Sequence, residues 1–102
     1  MAAFNTRVEL HDANYQDYLN LHSYMAHEGY TSTIRANEGT TYQLPPAEYN
    51  LVSNCTVAQA LEKAQRAAQK TRKRFAVLIS EYTSCSWVGL EKVRSTAPAR
   101  AY

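Results

Sequence analysis

Hydrophobic positions near the start of the chain first alternate and then recur at helical spacing. In Phe4–His11 every second side chain is apolar, which is typical of a strand with one buried face. From Tyr15 the apolar residues return every three or four positions, and Gly29 can end a helix. Asp12 and Asn14 lie between the two segments and carry oxygens that can cap a helix start. This pattern predicts a strand followed by a helix that folds back over it.

The middle of the chain predicts a hairpin with a broken second arm. Tyr30–Asn37 alternates and is rich in Thr, and Gly39 suits the turn into a second extended segment, Thr40–Leu44. The prolines at positions 45 and 46 interrupt that segment because proline cannot donate to a sheet ladder. Tyr49–Ser53 then restores a strand-like sequence.

The second half predicts one further helix and at least one further strand. In Asn54–Lys70, Thr56 and Gln59 form a capping-box pattern ahead of a stripe of small apolar residues. Arg74–Tyr82 contains a short continuous apolar run, which predicts an interior strand covered on both sides. Residues 83–93 are too apolar for a tail, so we expect either a further short strand or an arm across a partner subunit.

These elements, in the order β-α-β-β-α-β, predict an α+β fold of the ferredoxin-like class. In that arrangement two helices pack on one face of a four-stranded antiparallel sheet, and residues 83–93 could add a C-terminal strand. We expect residues 1–94 to form a single domain and residues 95–102 a flexible C-terminal tail.

Composition indicates a soluble intracellular protein. No apolar segment approaches the ~20 residues of a membrane span, and the first residues lack the pattern of a secretory signal. We therefore expect a cytoplasmic protein with no membrane partner. Cys55 and Cys85 are too few for a disulfide framework, and neither lies at a metal-finger spacing.

Charge is distributed unevenly along the chain. Residues 1–50 carry a net charge of −4 and residues 51–102 a net charge of +6, and six of the nine later cations lie between Lys63 and Arg74. A solvated helix face would account for that cluster, because cations near a helix C-terminus complement the helix dipole. Contact with a polyanion is the functional alternative.

Few motifs of known chemistry are present. There is no Walker loop, no G-x-S-x-G and no G-x-G-x-x-G, so nucleotide hydrolysis, serine hydrolase and dinucleotide chemistry lack support. Asp12 is either a helix cap or an acid that could hold a divalent metal in phosphodiester chemistry. No other ligand cluster accompanies it, so we expect no cofactor. Packing explains most of the eight tyrosines, and the aromatic signature of an RRM is absent.

Several scattered positions resemble the GhoS family, the antitoxin endoribonucleases of type V toxin–antitoxin systems. They are the opening FNT, the Asp that closes the first strand, the helical S-Y-M before an aromatic exit, and the Y-Q-L arm before Tyr49 and Asn50. The resemblance extends from about Phe4 to Leu61 and weakens beyond Lys70.

The resemblance implies a ferredoxin-like nuclease that binds, and in its family cleaves, single-stranded RNA such as a toxin messenger. Asp12 matches an Asp at the end of strand one in related nucleases of this fold, and His22 matches a basic catalytic position on the first helix. A histidine there could act as base on the 2′-OH or as acid on the leaving group. We expect phosphate contacts from the following cations: Arg7, Arg35, Arg72, Lys73 and Arg74.

Single-stranded RNA is the expected partner, with no DNA, and the protein is expected to be a homodimer. A non-catalytic dimeric module that binds RNA or protein is the alternative, and a small-ligand regulatory domain is a third option.

Overall fold

The computed structural model describes residues 1–93. The elements in chain order are β1 (Ala2–Leu10), α1 (Tyr15–His27), β2 (Thr33–Arg35), β3 (Thr41–Gln43), β4 (Glu48–Ser53), α2 (Val57–Gln69) and β5 (Phe75–Tyr82). This confirms the prediction of a mixed α+β fold with two helices and antiparallel sheets.

Strand β1 is the centre of a three-stranded antiparallel sheet with the order β4-β1-β5. Phe4 and Val8 on its inner face are fully buried, whereas Arg7 and Glu9 on its outer face are exposed. The period-two pattern therefore predicted correctly which face of β1 enters the core.

Both helices pack over the inner face of this sheet. Helix α2 contributes only alanines to the core, and their small side chains allow the helix backbone to approach the sheet closely. Its predicted capping box is present between Thr56 and Gln59. Helix α1 is capped by Asn14, which forms its own capping box with Asp17, and Asp12 is not its N-cap.

The predicted four-stranded sheet is wrong, because β2 and β3 form a separate two-stranded sheet. Strand β2 has only three residues, and the one bridge from this region to β4 joins Thr31 to Asn50. The prolines at 45 and 46 and the positive φ of 71° at Ala47 turn the chain between β3 and β4. The hairpin therefore does not continue the main ladder.

Within residues 1–93, β5 lies at an edge of its sheet, so the prediction of an interior strand is also wrong for this part of a single chain. Phe75, Val77 and Ile79 face the core but are only half buried. Leu78 points to the outer face of the sheet and is 69% exposed. The apolar composition of the strand does not reveal which neighbours it has.

Residues 83–93 return along the hairpin and add a minimal strand to β3. Lys92 forms a bridge with Tyr42, and backbone hydrogen bonds join Gln43 N to Glu91 O (2.8 Å) and Val93 N to Thr41 O (2.9 Å). Of the two predictions for residues 83–93, the further short strand is thus present only as a single bridge within the same chain. The predicted tail at 95–102 lies outside the described residues.

Within residues 1–93, neither helix combines the length and the apolarity needed to cross a bilayer.

Candidate functional site

The predicted catalytic residue Asp12 lies in the turn after β1, at one end of the sheet. Its φ is 52°, and its side chain is 93% exposed. Its carboxylate lies 3.9 Å from the guanidinium of Arg74, which precedes β5 and is also exposed. Asp12 thus belongs to a solvated surface pair that joins two neighbouring chain segments.

The second predicted catalytic residue, His22, lies within α1 and faces the sheet. Its Nδ1 is 2.6 Å from the hydroxyl of Tyr49, a buried residue of β4. Burial lowers the pKa of His22 below its ordinary value, which favours the neutral imidazole. This arrangement suits a hydrogen-bonded structural contact between helix and strand.

Asp12 and His22 do not share a site. Tyr49 is paired with Thr6 in the sheet, and β1 continues from Thr6 to Leu10 before the turn that contains Asp12. Four residues of strand span about 13 Å. A single small reacting group could not contact both side chains in this arrangement.

The five predicted phosphate contacts are also dispersed. Arg7 lies on the outer face of β1 opposite Glu48, and Arg35 lies on β2. The loop between α2 and β5 contains Arg72, Lys73 and Arg74. Lys73 Nζ lies 3.6 Å from a carboxylate oxygen of Asp17. The cations therefore occupy three different parts of the surface.

The donor set around Asp12 does not fit a divalent metal. Within residues 1–93 no three His, Cys, Asp or Glu side chains converge. The nearby guanidinium of Arg74 would also repel a cation.

A concave site lies between the β2–β3 hairpin and residues 83–93, which we call the C-terminal segment. The rings of Tyr42 and Trp87 meet edge to face, with centroids 5.4 Å apart. The bridge between Tyr42 and Lys92 holds the C-terminal segment against β3 and so places Trp87 beside Tyr42. The resulting cavity of about 510 Å³ is lined by Ile34, Arg35, Ala36, Asn37, Tyr42, Tyr82, Thr83, Ser84, Cys85, Ser86 and Trp87. We call it the hairpin cavity.

The hairpin cavity combines aromatic rings with a cation and neutral hydrogen-bonding groups. Arg35 supplies a guanidinium, Asn37 an amide, and Ser84 a hydroxyl. Gly39, whose φ is 102°, allows the turn that pairs Arg35 of β2 with Thr41 of β3. Such a set can stack a planar ring and bind an attached anion.

Tyr82 closes the sheet side of the hairpin cavity. Its hydroxyl donates to Oδ1 of Asn50 at 2.6 Å, and burial raises the pKa of this tyrosine. The phenol therefore stays neutral in the physiological range and acts as part of the wall.

A second, shallower groove lies where the two helices end. Its lining consists of Tyr24, Arg66, Gln69, Lys70 and Arg72. Lys70 Nζ lies 5.9 Å from the centroid of the Tyr24 ring, and Arg66 donates to Glu28 at 2.8 Å. That hydrogen bond holds the pKa of Glu28 below its ordinary value. The charge of Arg66 is thus already partly compensated within the fold.

Sequence reasoning identified Arg35 but missed its aromatic neighbours. Tyr42 and Trp87 are 45 positions apart, so no local pattern connects them. The available signal was the chain's only tryptophan, which lies in a segment otherwise rich in small residues.

No protein-family model matches this chain, and comparison with curated proteins finds no match. The resemblance to GhoS therefore remains a prediction based on the residues quoted above.

Proposed function

We propose that this protein binds single-stranded RNA at the hairpin cavity. An unpaired base stacks against Tyr42 and Trp87, and Arg35 contacts an adjacent phosphate. The observation that supports this proposal is the convergence of two aromatic rings and a guanidinium in one open cavity. Within the described residues 1–93, Arg35 forms no ion pair with a carboxylate, so its charge is available to a ligand.

Single-stranded RNA suits this chemistry better than duplex nucleic acid. Bases must be unstacked to enter an aromatic site, and single strands offer them without the cost of opening a helix. The cavity, of about 510 Å³, is large enough for one unstacked nucleotide.

We propose that the loop after α2 is a separate phosphate contact for a longer RNA, through Arg72, Lys73 and Arg74. The bridge between Thr31 and Asn50 anchors the hairpin near Asn5 of β1. Beyond the other end of β1, the backbone carbonyl of Arg74 accepts a hydrogen bond from His11 N. The two regions are therefore separated by about 20 Å of strand. An RNA of several nucleotides is needed to reach both.

The GhoS resemblance supports the further prediction that a toxin messenger is cleaved, with Asp12 and His22 as candidates. Their separation means that each would have to act without the other. A cleavage assay with and without EDTA, on the native protein and on Asp12→Ala and His22→Ala, tests this prediction. Cleavage that survives both substitutions rejects the assignment of these residues.

We also propose that the fold is a modified ferredoxin-like arrangement. If the bridge between Thr31 and Asn50 is counted as pairing, the strand order becomes β5-β1-β4-β2. That order and the two helices on one face support the proposal. The short β3 then extends the hairpin beyond the usual four strands.

Binding can be followed directly because Trp87 is the chain's only tryptophan. Short single-stranded RNA should quench its fluorescence as a base stacks on the ring. Arg35→Ala should weaken binding by about tenfold or more, the usual effect of losing a hydrogen bond to a charged group. Tyr42→Ala should weaken it by about 5- to 150-fold, since stacking contributes about 1–3 kcal/mol per base.

Arg72→Ala is the matched control, because it removes the same charge from the other end of the sheet. It should change affinity less than Arg35→Ala for a trinucleotide. An equal or larger loss of affinity in Arg72→Ala would instead indicate that RNA binds at the loop between α2 and β5. Absence of quenching and of binding by the native protein would reject RNA and favour a protein-binding module.

A further inference from the structure

The outer edge of β5 offers an uninterrupted row of backbone hydrogen-bonding groups. His11 N donates to Arg74 O at 2.8 Å, so even-numbered residues of this strand direct their backbone groups towards β1. Because the direction alternates along a strand, the odd-numbered residues direct theirs outwards. These are Phe75, Val77, Ile79 and Glu81. No strand among residues 1–93 lies on the outer side of β5 to pair with these groups.

This edge lacks the features that usually prevent strand addition. Soluble proteins protect edge strands with prolines, lysines or bulges. Strand β5 has no proline, lysine or bulge across eight residues, its one charged side chain is Glu81 near the strand end, and its pairing with β1 is continuous from Phe75 to Tyr82. Leu78 adds an exposed apolar side chain at the middle of the strand.

We propose that the edge of β5 pairs antiparallel with β5 of a second copy of this chain, about a two-fold axis at Leu78. In this register Leu78 faces the partner's Leu78, and Val77 faces the partner's Ile79. Every outward N–H and C=O of β5 then has a backbone partner. The two three-stranded sheets become one continuous six-stranded sheet.

The charges at the strand ends are compatible with this register. Phe75 is opposite the partner's Glu81, which places Glu81 diagonally beside the partner's Lys73. Diagonal neighbours are about 7–8 Å apart at their Cα atoms, within reach of long side chains. A two-fold axis at Val77 would place Glu81 directly opposite the partner's Lys73 but Leu78 opposite Ala76, so the pairing of Leu78 with itself, and not charge, distinguishes the two registers.

Side-chain burial is also consistent with a second copy as the occupant. Phe75, Val77 and Ile79 are only half buried by the helices of their own chain. A partner strand would cover their remaining surface and that of Leu78. The strand order puts this edge on the side of the sheet away from β4.

Two opposite charge substitutions at the axis test the proposal. The native protein should show concentration-dependent dimers in sedimentation velocity experiments. Leu78→Glu and Leu78→Lys should each be folded monomers, because the side chain is largely exposed in the single chain but faces itself in the dimer. Mixing the two variants should restore a dimer that contains one of each.

Val52→Glu is the matched control, because Val52 is exposed on the same sheet face but lies on β4. It should dimerise as the native protein does. A native protein that is monomeric at every concentration overturns the proposal. So does a dimer that persists in both Leu78 variants, or one that only Val52→Glu disrupts.

Cysteine cross-linking tests the register itself. In a background with Cys55→Ser and Cys85→Ser, Leu78→Cys should form an intermolecular disulfide on mild oxidation. Opposed residues at such a position have Cβ atoms about 4.5–5.5 Å apart, close to disulfide geometry. Ala76→Cys should not cross-link, since the two copies of that residue are about 13 Å apart in this register. Cross-linking at Ala76 but not at Leu78 overturns the register.

Discussion

The buried hydroxyl of Tyr30 joins the central strand to helix α2, and its removal should destabilise the fold measurably. Tyr30 is 3% exposed and follows the glycine that ends α1. Its hydroxyl donates to the carbonyl of Ala60 at 2.8 Å and accepts from Thr6 Oγ1 at 3.2 Å. Thr6 is itself fully buried in β1. One side chain thus satisfies polar groups in two elements.

Tyr30→Phe removes this hydroxyl without changing the packing of the ring. The Ala60 carbonyl remains inside the helical hydrogen-bond ladder, but the Thr6 hydroxyl loses its acceptor in a dry environment. An unsatisfied buried polar group costs about 1–3 kcal/mol. We expect the free energy of unfolding to fall by about 2 kcal/mol, which lowers Tm by about 8–16 °C in a domain of this size.

Thr6→Val separates the two contributions, because it deletes the Thr6 hydroxyl at nearly constant volume. Alone it should cost less than about 1 kcal/mol, since Tyr30 keeps its bond to Ala60. Added to Tyr30→Phe, it should recover part of the loss because no orphaned hydroxyl remains. Urea unfolding of the four proteins, followed by circular dichroism, measures this coupling. Strictly additive costs, or a cost of Tyr30→Phe below about 0.5 kcal/mol, would refute the reasoning.

Two further predictions concern His22 and the alanine face of α2. Because burial lowers the pKa of His22 in the folded protein, the unfolded chain binds this proton first as the pH falls below the ordinary value of 6.5. The contribution of neutral His22 to stability is thus complete above that pH and is lost as the pH falls towards the lowered pKa. His22→Gln should therefore flatten this part of a curve of unfolding free energy against pH. An unchanged slope would contradict the assignment. Ala64→Leu should cost about 1–3 kcal/mol in urea unfolding, since Ala64 is fully buried against the sheet, whereas exposed Ala58→Leu should cost little.

Local sequence patterns predicted those features of the fold that neighbouring residues determine. The alternation in β1 identified its buried face, and the Thr56–Gln59 spacing located the start of α2. At α1 the sequence offered two acceptors, and only Asn14 lies where it can bond to the N3 backbone. Asp12, with its positive φ, lies two residues too early. Such choices depend on the dihedral angles of the turn and not on residue type alone.

Features that depend on distant contacts were not accessible in the same way. The partner of His22 is 27 positions away in sequence, so no local pattern on α1 indicates the contact with the Tyr49 hydroxyl. Likewise, the hairpin cavity needs the C-terminal segment to return to β3. Neither contact leaves a periodic signature in the chain.

Strand β5 connects the main error of the sequence prediction with the proposed dimer. Its continuous apolar composition predicted an interior strand, whereas the single chain leaves it at an edge with Leu78 exposed. Composition reflects the environment in which a strand is stable, and that environment includes any partner chain. If a second β5 pairs with its outer edge as proposed, the strand would lie in the interior of a six-stranded sheet. The apolar composition and the edge position would then be compatible, because association would supply the missing strand neighbour.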